Sequence, residues 1–238
     1  MTPRGVLFDF DGTLARTMED HFQAWRAAVL AHGVALEPGE YYPLEGLPVR
    51  KLVAAFFAAR GLPVPDAGGV VRAKEAHYLR HHRFRLYPGV RPLLRALRRR
   101  GVKLAIVTAG LRERIQRSVP ASLLGLFDAV ITGDMTRRGK PYPDPYLKGA
   151  AALGLDAADC LAVENAPLGI RAAKAAGAYC VGVCSTLERS ALADADAVVG
   201  RFGELARLPA VRALLKRRTT TASWRTSGST ATRVSRFF

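Results

Sequence analysis

Cysteine, methionine and tryptophan are scarce in this chain, with 3, 3 and 2 among 238 residues. Cys160, Cys180 and Cys184 lie in apolar segments without metal-site spacing. That excludes a disulfide framework or a cysteine-built zinc site and leaves buried free thiols. Also absent is any apolar run near the roughly 18 residues that a membrane helix needs. The N-terminus leads into a strand pattern rather than a signal peptide, so a cytoplasmic location is expected.

Acidic residues are in short supply, 20 against 36 lysines and arginines, for a net charge of +16. Such a balance invites nucleic-acid binding. Yet Arg98-Arg99-Arg100 and Lys216-Arg217-Arg218 follow amphipathic patterns, and read as solvated helix ends where cations suit the dipole. Nucleic acid is therefore not the expected partner, and a basic surface equally steers small phosphorylated metabolites. Residues 217–238 are rich in Thr, Ser and Arg without period, and are expected to form a disordered basic tail. The charge is not the tail's alone: without the arginines of 219–238, residues 1–218 keep +13.

What the chain has is 49% hydrophobic residues, enough for one sizeable core with a smaller accessory unit. It also has Leu7-Phe8-Asp9-Phe10-Asp11-Gly12-Thr13, an apolar run ending in two carboxylates one residue apart. In an extended strand Asp9 and Asp11 start on the same side, and Gly12 permits a sharp turn beyond them. Two acids in one pocket repel, and a hard oxygen-loving ion such as Mg²⁺ would neutralise them. One carboxylate can then attack while the other handles protons. The bland alternative is an Asp-rich turn before a helix, with Thr13 a mere turn residue.

Further stretches follow in order: Ile106-Val107-Thr108-Ala109-Gly110, Gly139-Lys140-Pro141-Tyr142-Pro143-Asp144, and Ala162-Val163-Glu164-Asn165-Ala166-Pro167-Leu168-Gly169. Together with Asp-x-Asp-Gly-Thr, the series resembles the four motifs of the haloacid dehalogenase superfamily, especially its phosphatase and β-phosphoglucomutase branch. The resemblance runs from Val6 to about Leu215. It implies Mg²⁺-dependent phosphoryl transfer through an aspartyl-phosphate: Asp9 attacks and binds metal, Asp11 serves as acid and base and lends its backbone carbonyl to the metal. Thr108 and Lys140 hold phosphoryl oxygens, with Ala109 supplying only backbone. Asn165 would ligate the ion directly and Glu164 through water, although many relatives carry two acids here.

Helical spacing dominates residues 15–86: His21, Phe22, Trp25, Val29 and Leu30, then Leu52, Val53, Phe56 and Phe57, then Val70, Val71 and the 74–79 segment. Helices inserted just after a catalytic strand predict a water-excluding cap. There the family arrangement implies that His21 faces the motif loop and contacts Asp11 or substrate; a core or surface histidine is the alternative. The Glu45-Gly46-Leu47-Pro48 turn with Arg50 and Lys51 reads either as a specificity loop presenting cations to an anion or as a solvent-exposed turn. His77 and His81, four apart with no acidic or cysteine partner evident, read as a solvated helix face. Val49 stands where the phosphonatase branch has its Schiff-base lysine, which disfavours that chemistry.

From Tyr87-Pro88-Gly89 the pattern turns to alternating helix and strand, with strands at 102–107, 127–132, 160–163 and 179–183. A doubly wound parallel sheet with a Rossmann-like core from 1–14 and 87–216, carrying a small helical cap at 15–86, is expected. The chemistry is read as a phosphatase of small phosphorylated metabolites such as sugar phosphates, with a phosphosugar mutase as alternative. A basic nucleic-acid-binding or regulatory protein with a weakened site remains the alternative from another class. No feature specifies an oligomeric state.

Overall fold

Four apolar residues, Gly5–Phe8 (β1), occupy the middle of a six-stranded parallel sheet. The computed structural model describes residues 3–217, so the tail expected at 217–238 lies outside the described residues except for Arg217. The other strands are β2 (Lys103–Val107), β3 (Ala129–Ile131), β4 (Cys160–Glu164), β5 (Tyr179–Val183) and β6 (Ala197–Val199). Their order is β3-β2-β1-β4-β5-β6. Phe8 lies level with Ile106 on one side and Val163 on the other. The order reverses beside β1, the crevice where open α/β sheets place ligands.

Strand β1 stops at Phe8, short of the apolar run's end at Phe10, because the chain leaves the sheet there. The Phe10 carbonyl accepts from the amides of Thr13, Leu14 and Ala15, a tight turn that sends Asp9 and Asp11 to different partners. Strand β6 has no sequence counterpart in the expected set; it is three residues at the sheet's edge, only half-buried at Ala197 and Val198, and lacks the longer apolar run that flagged β3.

Alternation along β1 divides the core. Val6 and Phe8 face a layer built with α5 (Val90–Arg99), α6 (Arg112–Ser118), α7 (Ala121–Leu124) and α10 (Pro209–Lys216), whereas Leu7 faces α8 (Asp144–Ala152) and α9 (Pro167–Ala175). The second layer is lined by small residues, Ala105, Ala129 and Ala162. A Cβ at Gly149 of α8 would come within 2.8 Å of Val107, so that helix sits close on the sheet. Asp144 opens α8 but does not cap it: Pro143 stands at the N-cap, and the Asp144 carboxylate pairs with Arg138 at 3.1 Å. Arg98 and Arg99 lie in the last turn of α5, where the dipole favours cations.

Residues 18–81 carry the cap helices α1 (Met18–Leu30), α2 (Pro38–Tyr41), α3 (Val49–Ala58) and α4 (Ala67–His81). They enclose their own apolar cluster around Trp25, Tyr41, Phe56 and Val70. Two chain segments cross to the sheet side by side: Arg16 donates to Arg85 O at 2.8 Å and Tyr87 to Leu14 O at 3.0 Å. The His77 and His81 rings lie 4.2 Å apart along α4, tilted by 35°, with His81 bonded to the His77 carbonyl. No group of three His, Cys, Asp or Glu side chains positioned for a metal is found among the described residues.

Candidate active site

The carboxyl ends of β1, β2 and β4 converge, and the cap closes over them. Asp9 follows β1 directly, its amide bonded to Val163 O at 3.0 Å. Its Oδ1 accepts from Lys140 Nζ at 2.7 Å, while its Oδ2 is buried without a hydrogen-bond partner. Burial pushes the Asp9 carboxyl well above the usual carboxylate range, against the opposing pull of Lys140.

Lys140 also donates to Glu164 Oε1 at 2.5 Å. Burial works against its charge, but Asp9 and Glu164 together push its pKa up and keep the ammonium protonated. Glu164 is engaged on several sides, since Tyr146 donates to the same oxygen at 2.6 Å and the Asn165 amide to the other at 3.0 Å. It therefore positions Lys140. Asn165 Oδ1 accepts from Thr13 at 3.1 Å and its Nδ2 donates to Thr186 at 3.1 Å. Thr13, a candidate substrate-binding residue by its place in the Asp-x-Asp-Gly-Thr motif, thus spends its hydroxyl proton on Asn165.

Asp11 has a denser set of donors. Thr17 reaches it at 2.8 Å, His21 Nε2 at 3.1 Å and Arg114 at 3.2 and 2.5 Å, one bond to each oxygen. Thr108 Oγ1 lies 3.4 Å away, a long contact, and accepts from the Gly110 amide at 3.0 Å. Leu111 rather than Thr108 holds the N-cap position of α6. Burial opposes charge on Asp11 too, yet Arg114 and then His21 hold its carboxyl well below the usual range. His21 itself is pushed down to about 4 by burial and by Lys74, so it stays neutral near pH 7.

Between cap and core lies a cavity of about 30 Å³ lined by Asp11, His21, Glu45, Gly46, Ala109 and Arg114, among others. That volume holds two or three waters of roughly 10–15 Å³ each. Gly46 has φ +92°, and a Cβ there would come within 3.3 Å of the Lys140 side chain, so glycine lets the cap loop sit on the lysine. Arg50 behaves differently from expectation: it is exposed, its guanidinium lies beside Gly68 at the start of α4, and it does not line the cavity. The specificity loop contributes Glu45 and Gly46 instead.

The sequence did not single out Thr17, Glu75, Arg114 or Tyr146, and it treated Lys74 only as part of a helix pattern. Lys74 is buried on α4, bonded to Glu75 at 3.0 Å and 5.3 Å from the ring centroids of Trp25 and Tyr78. Arg114 is one of 36 basic residues and carries no local mark. The one available signal was Gly110, whose Cβ would stand 1.8 Å from the Arg114 guanidinium.

Known proteins carry the same frame. Validoxylamine A 7'-phosphate phosphatase of Streptomyces hygroscopicus subsp. limoneus is 33% identical over 215 residues, covering 84% of this chain and 94% of its own. Hexitol phosphatase A of Escherichia coli is 30% identical over 199 residues, covering 84% and 91%. CbbY of Rhodobacter sphaeroides, solved with xylulose-(1,5)bisphosphate, superimposes with a TM-score of 0.74 at 27% identity over 86% of this chain and 96% of that one. A model of haloacid dehalogenase-like hydrolases matches residues 3–177. With that match and the motif residues gathered at one sheet edge, the chain belongs to the haloacid dehalogenase-like hydrolase family.

Proposed function

We propose that this chain is a Mg²⁺-dependent phosphatase of small phosphorylated polyols or sugars, working through an aspartyl-phosphate on Asp9. The observation that carries the reading is the state of Asp9: one oxygen on Lys140, the other buried and unpartnered at the end of the central strand. A buried carboxylate oxygen without a partner is costly, and a hard cation would satisfy it. Oxygens would complete the set, as Mg²⁺ prefers: beside Asp9 Oδ2, the Asn165 amide oxygen and the Asp11 backbone carbonyl that the family motifs assign to the metal, with Glu164 through water. Once bound, the ion would supply charge neutralisation for the phosphoryl group and favour ionised Asp9.

The protein's own steps follow. Asp9 attacks phosphorus as the ester bond breaks, and Asp11, which takes up a proton from water once Arg114 has left its oxygens, delivers that proton to the departing oxygen. Water, deprotonated by Asp11, then attacks phosphorus and releases Asp9. Lys140, the Thr108 hydroxyl and the Ala109 amide stabilise charge on the transferred oxygens. A sugar phosphate exceeds the 30 Å³ cavity, so residues 15–86 act as a cap that swings on the paired segments near Leu14–Arg16 and Arg85–Tyr87. The relatives' names support the substrate class.

The test is phosphate release from a panel of sugar and alditol phosphates, with Mg²⁺ and with excess EDTA, alongside acid-quenched protein digested for mass spectrometry. Release that EDTA abolishes, with a phosphorylated peptide containing Asp9, is expected. Isomerised sugar phosphate without phosphate release would convert the assignment to a mutase, and EDTA-insensitive release would overturn the metal.

A further inference from the structure

Arg114 is buried, yet it is the least settled member of the site. It leaves α6, passes over Gly110 and enters the cavity, where only the missing Cβ of that glycine makes room for it. Its two terminal nitrogens occupy both oxygens of Asp11, and its guanidinium lies 5.3 Å from the Tyr78 ring centroid on the cap. Its Nε has no hydrogen-bond partner; Glu75 Oε2, 3.9 Å away, is likewise unpartnered. Lys74, the other cation of the cavity, is already bonded to Glu75, and Glu45 already accepts from Tyr41 at 2.8 Å.

Phosphoryl transfer needs the Asp11 oxygens to reach the departing oxygen and then a water, and Arg114 covers them both. The guanidinium must therefore turn aside during turnover. A buried cation that loses its partner is strongly disfavoured unless another anion replaces it. The transferred phosphoryl group is already met by Lys140 and Thr108. A planar fork with free N–H groups matches a carboxylate or phosphate held two-pronged.

We propose that Arg114 recognises a second anionic group, a carboxylate or a phosphate, on the departing part of the substrate, and that Asp11 holds the guanidinium until that group arrives. The proposal rests on the phosphoryl-transfer reading above and narrows its substrate class. It makes Arg114 a specificity residue and couples recognition to uncovering of the acid-base carboxylate.

Binding separates it from turnover. Asp9→Asn protein, alone and combined with Arg114→Gln or Arg114→Lys, is titrated calorimetrically in Mg²⁺ with an alditol monophosphate, with phosphoglycolate and with a sugar bisphosphate. The Asp9→Asn protein is expected to bind one of the two doubly anionic esters about tenfold or more tighter than the alditol ester, and which one names the group. Arg114→Gln should collapse that ratio toward one, and Arg114→Lys, which keeps charge without the fork, should retain part of it. Equal affinities in the Asp9→Asn protein, no binding of any ester, or a ratio untouched by both Arg114 variants would overturn the assignment. If Arg114→Gln does not fold, the Lys variant alone decides. Failure of the phosphatase reading shows separately, as native protein that releases no phosphate from any of the three esters.

Discussion

The two walls of the cavity are both buried and both ionic, but they are built differently. On the core wall, Asp9, Thr108, Glu164 and Asn165 stand at or just beyond strand ends whose register the sheet fixes. Lys140 then lies between two carboxylates at 2.7 and 2.5 Å. On the cap wall, Lys74 and Glu75 come from α4 and face Arg114 of the core helix α6, and the contact across the seam, Arg114 Nε to Glu75 at 3.9 Å, is loose. The core wall is organised before substrate arrives; the cap wall is a set of ion pairs that can be exchanged.

The comparison predicts that core variants cost chemistry and cap variants cost less. Asp9→Asn should lower phosphate release about 10³-fold or more, because an amide cannot attack phosphorus. Its melting temperature should hardly change, since Lys140 keeps Glu164 and a buried carboxylate is neutralised. Full activity in that variant would remove the nucleophile from the scheme. Lys140→Ala comes next. It leaves Asp9 and Glu164 facing each other unpaired, so about 3–5 kcal/mol of stability should be lost in denaturant titration. About 10²-fold or more in kcat should go with it.

Lys74→Met tests the other wall. Methionine fills the space between Trp25 and Tyr78 with a similar volume, and Glu75, on the cavity's edge, keeps access to Arg114. About 1–2 kcal/mol should be lost, with kcat falling less than in Lys140→Ala. A loss matching that of Lys140→Ala would erase the distinction between the walls.

The same difference explains what the sequence disclosed. Asp9, Thr108, Lys140 and Asn165 are announced by neighbours in the chain, since each sits where an apolar strand or a Gly/Pro turn ends. Strands β1 to β5 and the cap's helical character were legible for the same reason of local period. Arg114 was not, because it meets Asp11 across 103 positions and is one arginine in a chain full of them. Arg50 misled for the converse reason: a cation beside a Gly-Pro turn looked like a ligand, but α3 begins at Val49 and carries its side chain outward. Local composition cannot say which face of a helix will meet a pocket.

Glu45 gives the smallest and most specific test of the cap wall. Burial first, and then the nearby Asp11, push its carboxyl up to about 7, while the Tyr41 hydroxyl bond and the charges of Lys140 and Lys74 pull it back. A carboxyl whose folded pKa lies above its unfolded value of about 4.3 binds its proton more tightly in the native state. Stability is therefore lost as pH rises from the unfolded value through about 7, with the whole penalty present above that. Glu45→Gln removes the titration while keeping an acceptor for Tyr41. Relative to the native protein it should gain roughly 1–2 kcal/mol at pH 8 and nothing at pH 4.5, allowing for the residue's partial exposure. Equal urea midpoints for the two proteins at pH 8 would show that Glu45 is already solvated, and that the cap wall is open to water even with the site closed.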